Sequence, residues 1–125
     1  MERVTVSEAL IGKTRVVAFS GEIDIANAEN LREALARTRG APVVVSLQGL
    51  RYIDSTGLNA LLAEHNLRKR NDEPLLLVSP LPPADRVFQV TSLDNVLACF
   101  RELEDALVEA SAAAARAAKP FGAEP

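Results

Sequence analysis

The order of apolar runs and helical periodicities predicts an α/β fold. The expected architecture is a single domain on a mixed, mostly parallel sheet of four to five strands, with about four helices packed mainly on one face. Three observations carry this. Short valine- and leucine-rich runs alternate with segments of helical period. The central run, Val43-Val44-Val45, is apolar at every position, as in a parallel strand buried on both faces. The first two runs flank Gly12-Lys13, a hairpin turn that adds an antiparallel edge.

Each element follows in turn. Val4, Val6 and Glu8-Ala9-Leu10-Ile11 form the first strand, and Arg15-Val16-Val17-Ala18-Phe19 the second. Ser20-Gly21-Glu22-Ile23-Asp24 reads as a polar connection. From Asn27 the period changes: Ala28, Leu31, Ala34 and Leu35 share one helical face, opposite Arg32, Glu33 and Arg37. Gly40 stops that helix and Pro42 follows. Val43–Leu47 is the third strand, and Gln48–Ile53 reads as a loop. Leu58, Leu61, Leu62 and His65 mark a second helix, ended by Asn71-Asp72-Glu73-Pro74. Leu75–Val78 is the fourth strand. Ser79-Pro80-Leu81-Pro82-Pro83 opens a short helix with Ala84, Val87 and Phe88 inward, because proline loses nothing at a helix start. Val96–Phe100 is a fifth, edge strand, and Leu103, Leu107 and Ala110 begin the last helix. The domain is expected to span residues 1–110. The Ala-rich tail, 111–125, is expected to be frayed or disordered.

The chain has 125 residues, one ordinary domain, with 48% hydrophobic and only 4% aromatic residues. Its core is therefore aliphatic. A net charge of −3 with scattered cations argues against nucleic acid, which needs a clustered basic surface. Arg68-Lys69-Arg70 reads instead as cations complementing a helix C-terminus. The lone Cys99 allows no intrachain disulfide. Met1-Glu2-Arg3 lacks the apolar core of a secretion signal, and no apolar run approaches the roughly 18 residues of a membrane span. A cytoplasmic protein without membrane insertion is expected.

Enzymatic chemistry finds few tools. The single histidine, His65, follows Ser55 on the same expected helix, about 15 Å further along its axis, where a Ser–His pair needs about 3 Å. One His and one Cys cannot build the usual zinc site. Gly12-Lys13-Thr14 imitates the end of a phosphate-binding loop, but Ser7 stands where that loop needs glycine. No catalysis, metal or cofactor is expected.

What remains is Asp54-Ser55-Thr56-Gly57-Leu58, joining a strand's exit to a helix start. Asp, Ser and Thr are all preferred N-caps, so the motif has a structural reading without any function. Gly21-Glu22-Ile23-Asp24, a helix, a valine-rich strand and then Asp54–Leu58 nevertheless resemble the STAS domains of bacterial anti-sigma factor antagonists. Ser79-Pro80, Val87-Phe88 and Leu93 extend the resemblance, which covers roughly residues 4 to 108. Its specificity lies in two motifs in the right order and spacing.

The resemblance implies a STAS-like domain and a partner-switching cycle. The unmodified protein would bind an anti-sigma factor with serine kinase activity, and phosphorylation of Ser55 would end the binding. A serine phosphatase would reset it. Thr56 is a secondary acceptor, and Asp24 and Asp54 match the acidic positions near the serine. Glu22, Ser55, Thr56, Gly57, Leu58 and Asn59 are the expected partner-binding residues, on a monomer or weak dimer. Asn59 stands where many relatives have glycine, and Ser92 replaces a common glycine before Leu93. A scaffold subunit of a stress-signalling or lipid-transport complex, never phosphorylated, is the competing expectation.

Overall fold

A computed structural model describes residues 4–118. The elements run β1 (Thr5–Ile11), β2 (Thr14–Ile23), α1 (Ala28–Ala36), β3 (Val43–Ile53) and α2 (Ser55–Arg70). They continue as β4 (Leu75–Val78), α3 (Arg86–Val90), a 3-10 turn (Leu93–Asn95), β5 (Ala98–Phe100) and α4 (Leu103–Ala118). The five strands lie side by side in chain order. The β1–β2 hairpin is antiparallel, turning at Gly12-Lys13 between the paired residues Ile11 and Thr14. Every other pairing is parallel.

Strand alternation sorts the core into two layers. Val17, Phe19, Val43, Val45 and Leu77 face Leu31, Leu35, Leu61 and Phe88 on one side. Val16, Val44, Leu76 and Val78 face Ala106 and Ala110 of α4 on the other. The valine run is thus buried on both faces, as its composition predicts. Helices α1, α2 and α3 share the first layer, and α4 alone covers the second.

Two strands run further than the sequence suggests. Residues 20–23 and 48–53 are not connections but the ends of β2 and β3. The pairing continues to Ile23↔Ile53 through two register shifts. Those shifts break the period of two: the buried residues of β3's second half, Leu47, Leu50 and Ile53, recur every third position. Gly49 permits the distortion. A Cβ there would lie 2.5 Å from Ser20 Oγ.

Three smaller differences have local causes. The short third helix starts at Arg86 rather than at the prolines, and Phe88 is its one buried residue. The edge strand is shorter than expected, because Leu97 drops into the first core instead of joining it. The boundary expected at residue 110 falls inside α4, which continues to Ala118. Ala106, Ala110 and Ala113 are buried along it; their spacing puts small side chains on one face, and alanine favours helix. The remainder of the tail, from Lys119, lies outside the described residues.

The buried face of α2 also departs from its apolar pattern. His65 is only half-buried, while Glu64 and Arg68 are buried beside Leu61. Arg68, 1% exposed, is no solvated helix-end cation, unlike exposed Lys69 and Arg70. Its guanidinium donates to Glu64 Oε2 (2.8 Å), Thr38 Oγ1 (2.6 Å), and the carbonyls of Leu35 (3.1 Å) and Ala41 (3.0 Å). Arg39 closes the cluster with two bonds to Glu64, at 3.0 and 2.6 Å. Arg68 thereby reaches backbone carbonyls at the end of α1 and in the loop after it, and ties α1 to α2.

Candidate functional site

The site is built where β2 and β3 end together. Ile23 and Ile53 are register partners, so Asp24 and Asp54 leave the sheet from neighbouring strands. The Asp54 amide donates to the Ile23 carbonyl at 3.1 Å, which fixes the β3–α2 turn to the end of β2.

Asp54 is the N-cap of α2. Its backbone is extended, and Oδ1 accepts from the amides of Thr56 (3.0 Å) and Gly57 (3.2 Å). Two of the donors that a helix start leaves unpaired are thus satisfied by one carboxylate. Of the three capping candidates in the motif, the aspartate caps. That leaves Ser55 as the first residue of α2, exposed, with no side-chain hydrogen bond to a described residue.

Gly57 is needed for a close approach. A Cβ there would lie 2.7 Å from Ile53 Cγ1 and 2.8 Å from Ile23 Cγ2. The first turn of α2 therefore rests directly on the ends of both strands. Leu58, 5% exposed, belongs to the core. Gly57 and Leu58, expected to contact a partner, instead turn inward and shape the surface from below. Ser55 and Asn59 are exposed, and Glu22 and Thr56 are half-buried.

Asp24 holds the neighbouring loop. Its Oδ1 accepts from the Ala26 amide at 2.9 Å, an Asx turn. Asn27 completes the staple: Oδ1 accepts from the Asp24 amide and Nδ2 donates to the Glu22 carbonyl, both at 2.9 Å. Sequence reasoning gave Asn27 no role beyond the start of helical period. Its position just before that period is an N-cap signal, yet the side chain reaches back to the strand rather than forward to the helix.

A groove of about 630 Å³ lies between the start of α2 and α3, lined by Tyr52, Ser55, Ala84, Arg86, Val87 and Val90 among others. Two of its apolar members are open to solvent: Tyr52 is 50% and Val90 75% exposed. Ile25, in the loop after Asp24, is 79% exposed. None of these was singled out from sequence. Tyr52 lies in a stretch whose sequence lacks strand alternation, and an exposed apolar residue has no periodic signal of its own.

The one histidine is out of reach of the serine. Ser55 and His65 occupy the same helix, about 15 Å apart along its axis. Burial, reinforced by the Lys69 charge, holds the His65 imidazole below its ordinary pKa. Among the described residues no cluster of His, Cys, Asp or Glu could hold a metal ion, and no helix is long and apolar enough to cross a membrane.

Known proteins share this framework. The STAS domain model matches residues 7–106. The anti-sigma-B factor antagonist of Bacillus subtilis is 31% identical over 83 residues, covering 65% of this chain and 76% of that protein. The crystal structure of an anti-sigma factor antagonist from Mycobacterium paratuberculosis superposes with a TM-score of 0.78 at 27% identity, covering 87% of this chain and 95% of that one. The phosphorylated form of the Bacillus cell fate determinant SpoIIAA shares the fold at 19% identity, with a TM-score of 0.62 over 84% of this chain and 98% of its own. With a family match over residues 7–106, on a fold that sets a closely packed glycine, a capping aspartate and an exposed serine at the end of paired parallel strands, the chain belongs to the STAS domain family.

Proposed function

We propose that this chain is a cytoplasmic anti-sigma factor antagonist, not an enzyme. Unphosphorylated, it binds an anti-sigma factor that is also a serine kinase, through Glu22, Ser55, Thr56 and Asn59. Phosphorylation of Ser55 releases the partner, and a serine phosphatase restores the binding form, so that sigma-factor-dependent transcription is regulated. Thr56 is the secondary acceptor. The protein works as a monomer or weak dimer.

The observation that carries this reading is the exposed Ser55 hydroxyl, without a hydrogen bond among the described residues, between a capping Asp54 and a tightly packed Gly57. A kinase needs such a group. The names of the relatives, anti-sigma factor antagonists, support the partner class.

Phosphate adds about −1.5 to −2 charge at pH 7. At a helix N-terminus that charge is locally favourable, while Asp24 and Asp54 oppose it. The fold should therefore change little. A partner docked over Ser55 would have to accommodate and desolvate the dianion. Tenfold weaker affinity requires only about 1.4 kcal/mol, and a buried unpaired charge costs more. Exclusion suffices without a conformational change.

Incubation with the cognate kinase and ATP, followed by intact mass and peptide mapping, tests the assignment. One phosphate on Ser55 is expected, and none on Ser55→Ala. Phosphate on Thr56 alone would contradict the choice of residue, and no modification would contradict the switch.

A further inference from the structure

We propose that a phosphate on Ser55 is held by Arg86 across the groove, so that the modified protein bridges α2 to α3 by an ion pair. This rests on the reading of Ser55 as a modification site and adds a second device to simple exclusion. Ser55 and Arg86 are the first residues of α2 and α3, and both line the 630 Å³ groove. Neither side chain has a hydrogen bond or ion pair among the described residues.

The other charged groups nearby are committed. Asp54 lines the groove but spends Oδ1 on the amides of Thr56 and Gly57. Arg51 lines it too and already has a partner. Asp24 is turned onto the Ala26 amide. Asp85, next to Arg86 in sequence, accepts from Gln89 Nε2 at 3.3 Å and lines a separate cavity. Arg86 is thus the uncommitted cation of the groove. A guanidinium fork matches phosphate oxygens two at a time, whereas an unmodified hydroxyl gives it little to hold. The same groove carries exposed Tyr52 and Val90. An ion pair across it narrows access to that apolar surface when the phosphate is present, and only then.

The test installs phosphoserine at position 55 of the full chain by genetic encoding, so the phosphate is present whether or not a kinase is known. Phosphorus NMR then follows its second ionisation. An opposite charge at contact distance lowers an acid's pKa, and solvent moderates the effect for an exposed pair. We expect the ionisation to rise by about half a unit in Arg86→Ala relative to wild type. Most of the lowering should survive in Arg86→Lys and shrink in high salt. Arg101→Ala, in the separate cavity, should match wild type. Equal ionisation in wild type and Arg86→Ala overturns the proposal, as does an equal shift in Arg101→Ala. Failure of every kinase to modify Ser55 would instead defeat the functional reading, leaving the NMR result unaffected.

Discussion

The first turn of α2 and its last turns handle polar groups in opposite ways. At the start, Asp54 caps the helix, Gly57 sits tight on Ile23 and Ile53, and Ser55 is left free in solvent. Towards the end, Glu64 and Arg68 are buried and fully bonded to each other, to Thr38 and to backbone carbonyls of α1 and its following loop. No buried side-chain nitrogen or oxygen among the described residues lacks a partner. The comparison teaches a division of labour. The far end anchors the helix, while the near end leaves one hydroxyl in solvent, where the proposed phosphate would add charge without loosening the anchor.

The strongest way to break this division is at the anchor. Arg68→Ala removes a guanidinium that bonds Glu64, Thr38 and the carbonyls of Leu35, Ala41 and Glu73, and leaves Glu64 to Arg39 alone. A loss of about 3 kcal/mol is expected, read by denaturant unfolding. A loss below 1 kcal/mol would mean that the cluster is not an anchor.

Gly57→Ala tests the near end as architecture. The added methyl meets Ile53 and Ile23 at distances that force a shift, and overpacking of this kind costs about 1–3 kcal/mol. Unfolding measurements should place it below Arg68→Ala in effect. A fully stable Gly57→Ala would show that the turn has slack.

Acid sharpens the contrast further. Burial alone would push the Glu64 carboxyl up, but the hydrogen bonds from Arg39 and Arg68 overcome it and hold its pKa below the ordinary 4.5. A carboxylate depressed in the folded state stabilises above its unfolded pKa, and that contribution is lost as pH falls through the folded value. Wild type should therefore lose stability below about pH 4.5. Glu64→Gln should lack this component of the acid slope. Parallel pH profiles for the two proteins would contradict the ion-pair account.

Much of this was legible beforehand, and the gaps have physical causes. The valine run, the Gly12-Lys13 hairpin and the α1 stripe announce themselves through period and turn chemistry. The ends of β2 and β3 do not, because register shifts around Gly21 and Gly49 break the alternation that marks a strand. Arg68 was hidden among cations at a helix end; burial of a charge depends on which acceptors the tertiary fold brings up, and those lie about 30 residues away in Leu35, Thr38 and Ala41. At the site, Asp54, Ser55 and Gly57 were legible as a motif. The burial of Gly57 and Leu58 is not legible there, since sequence adjacency does not say which side of a helix faces inward. Tyr52, Arg86 and Val90 come to Ser55 from two other elements, which only the folded sheet brings together.

The most direct test measures affinity and stability on the same sample. Wild type and Ser55→Asp are titrated with the anti-sigma factor by calorimetry, and each is melted alone. The division within α2 predicts at least tenfold weaker binding for Ser55→Asp, with stability within about 0.5 kcal/mol of wild type, as for a surface substitution. Normal binding by Ser55→Asp, or weak binding accompanied by a matching loss of stability, would contradict it.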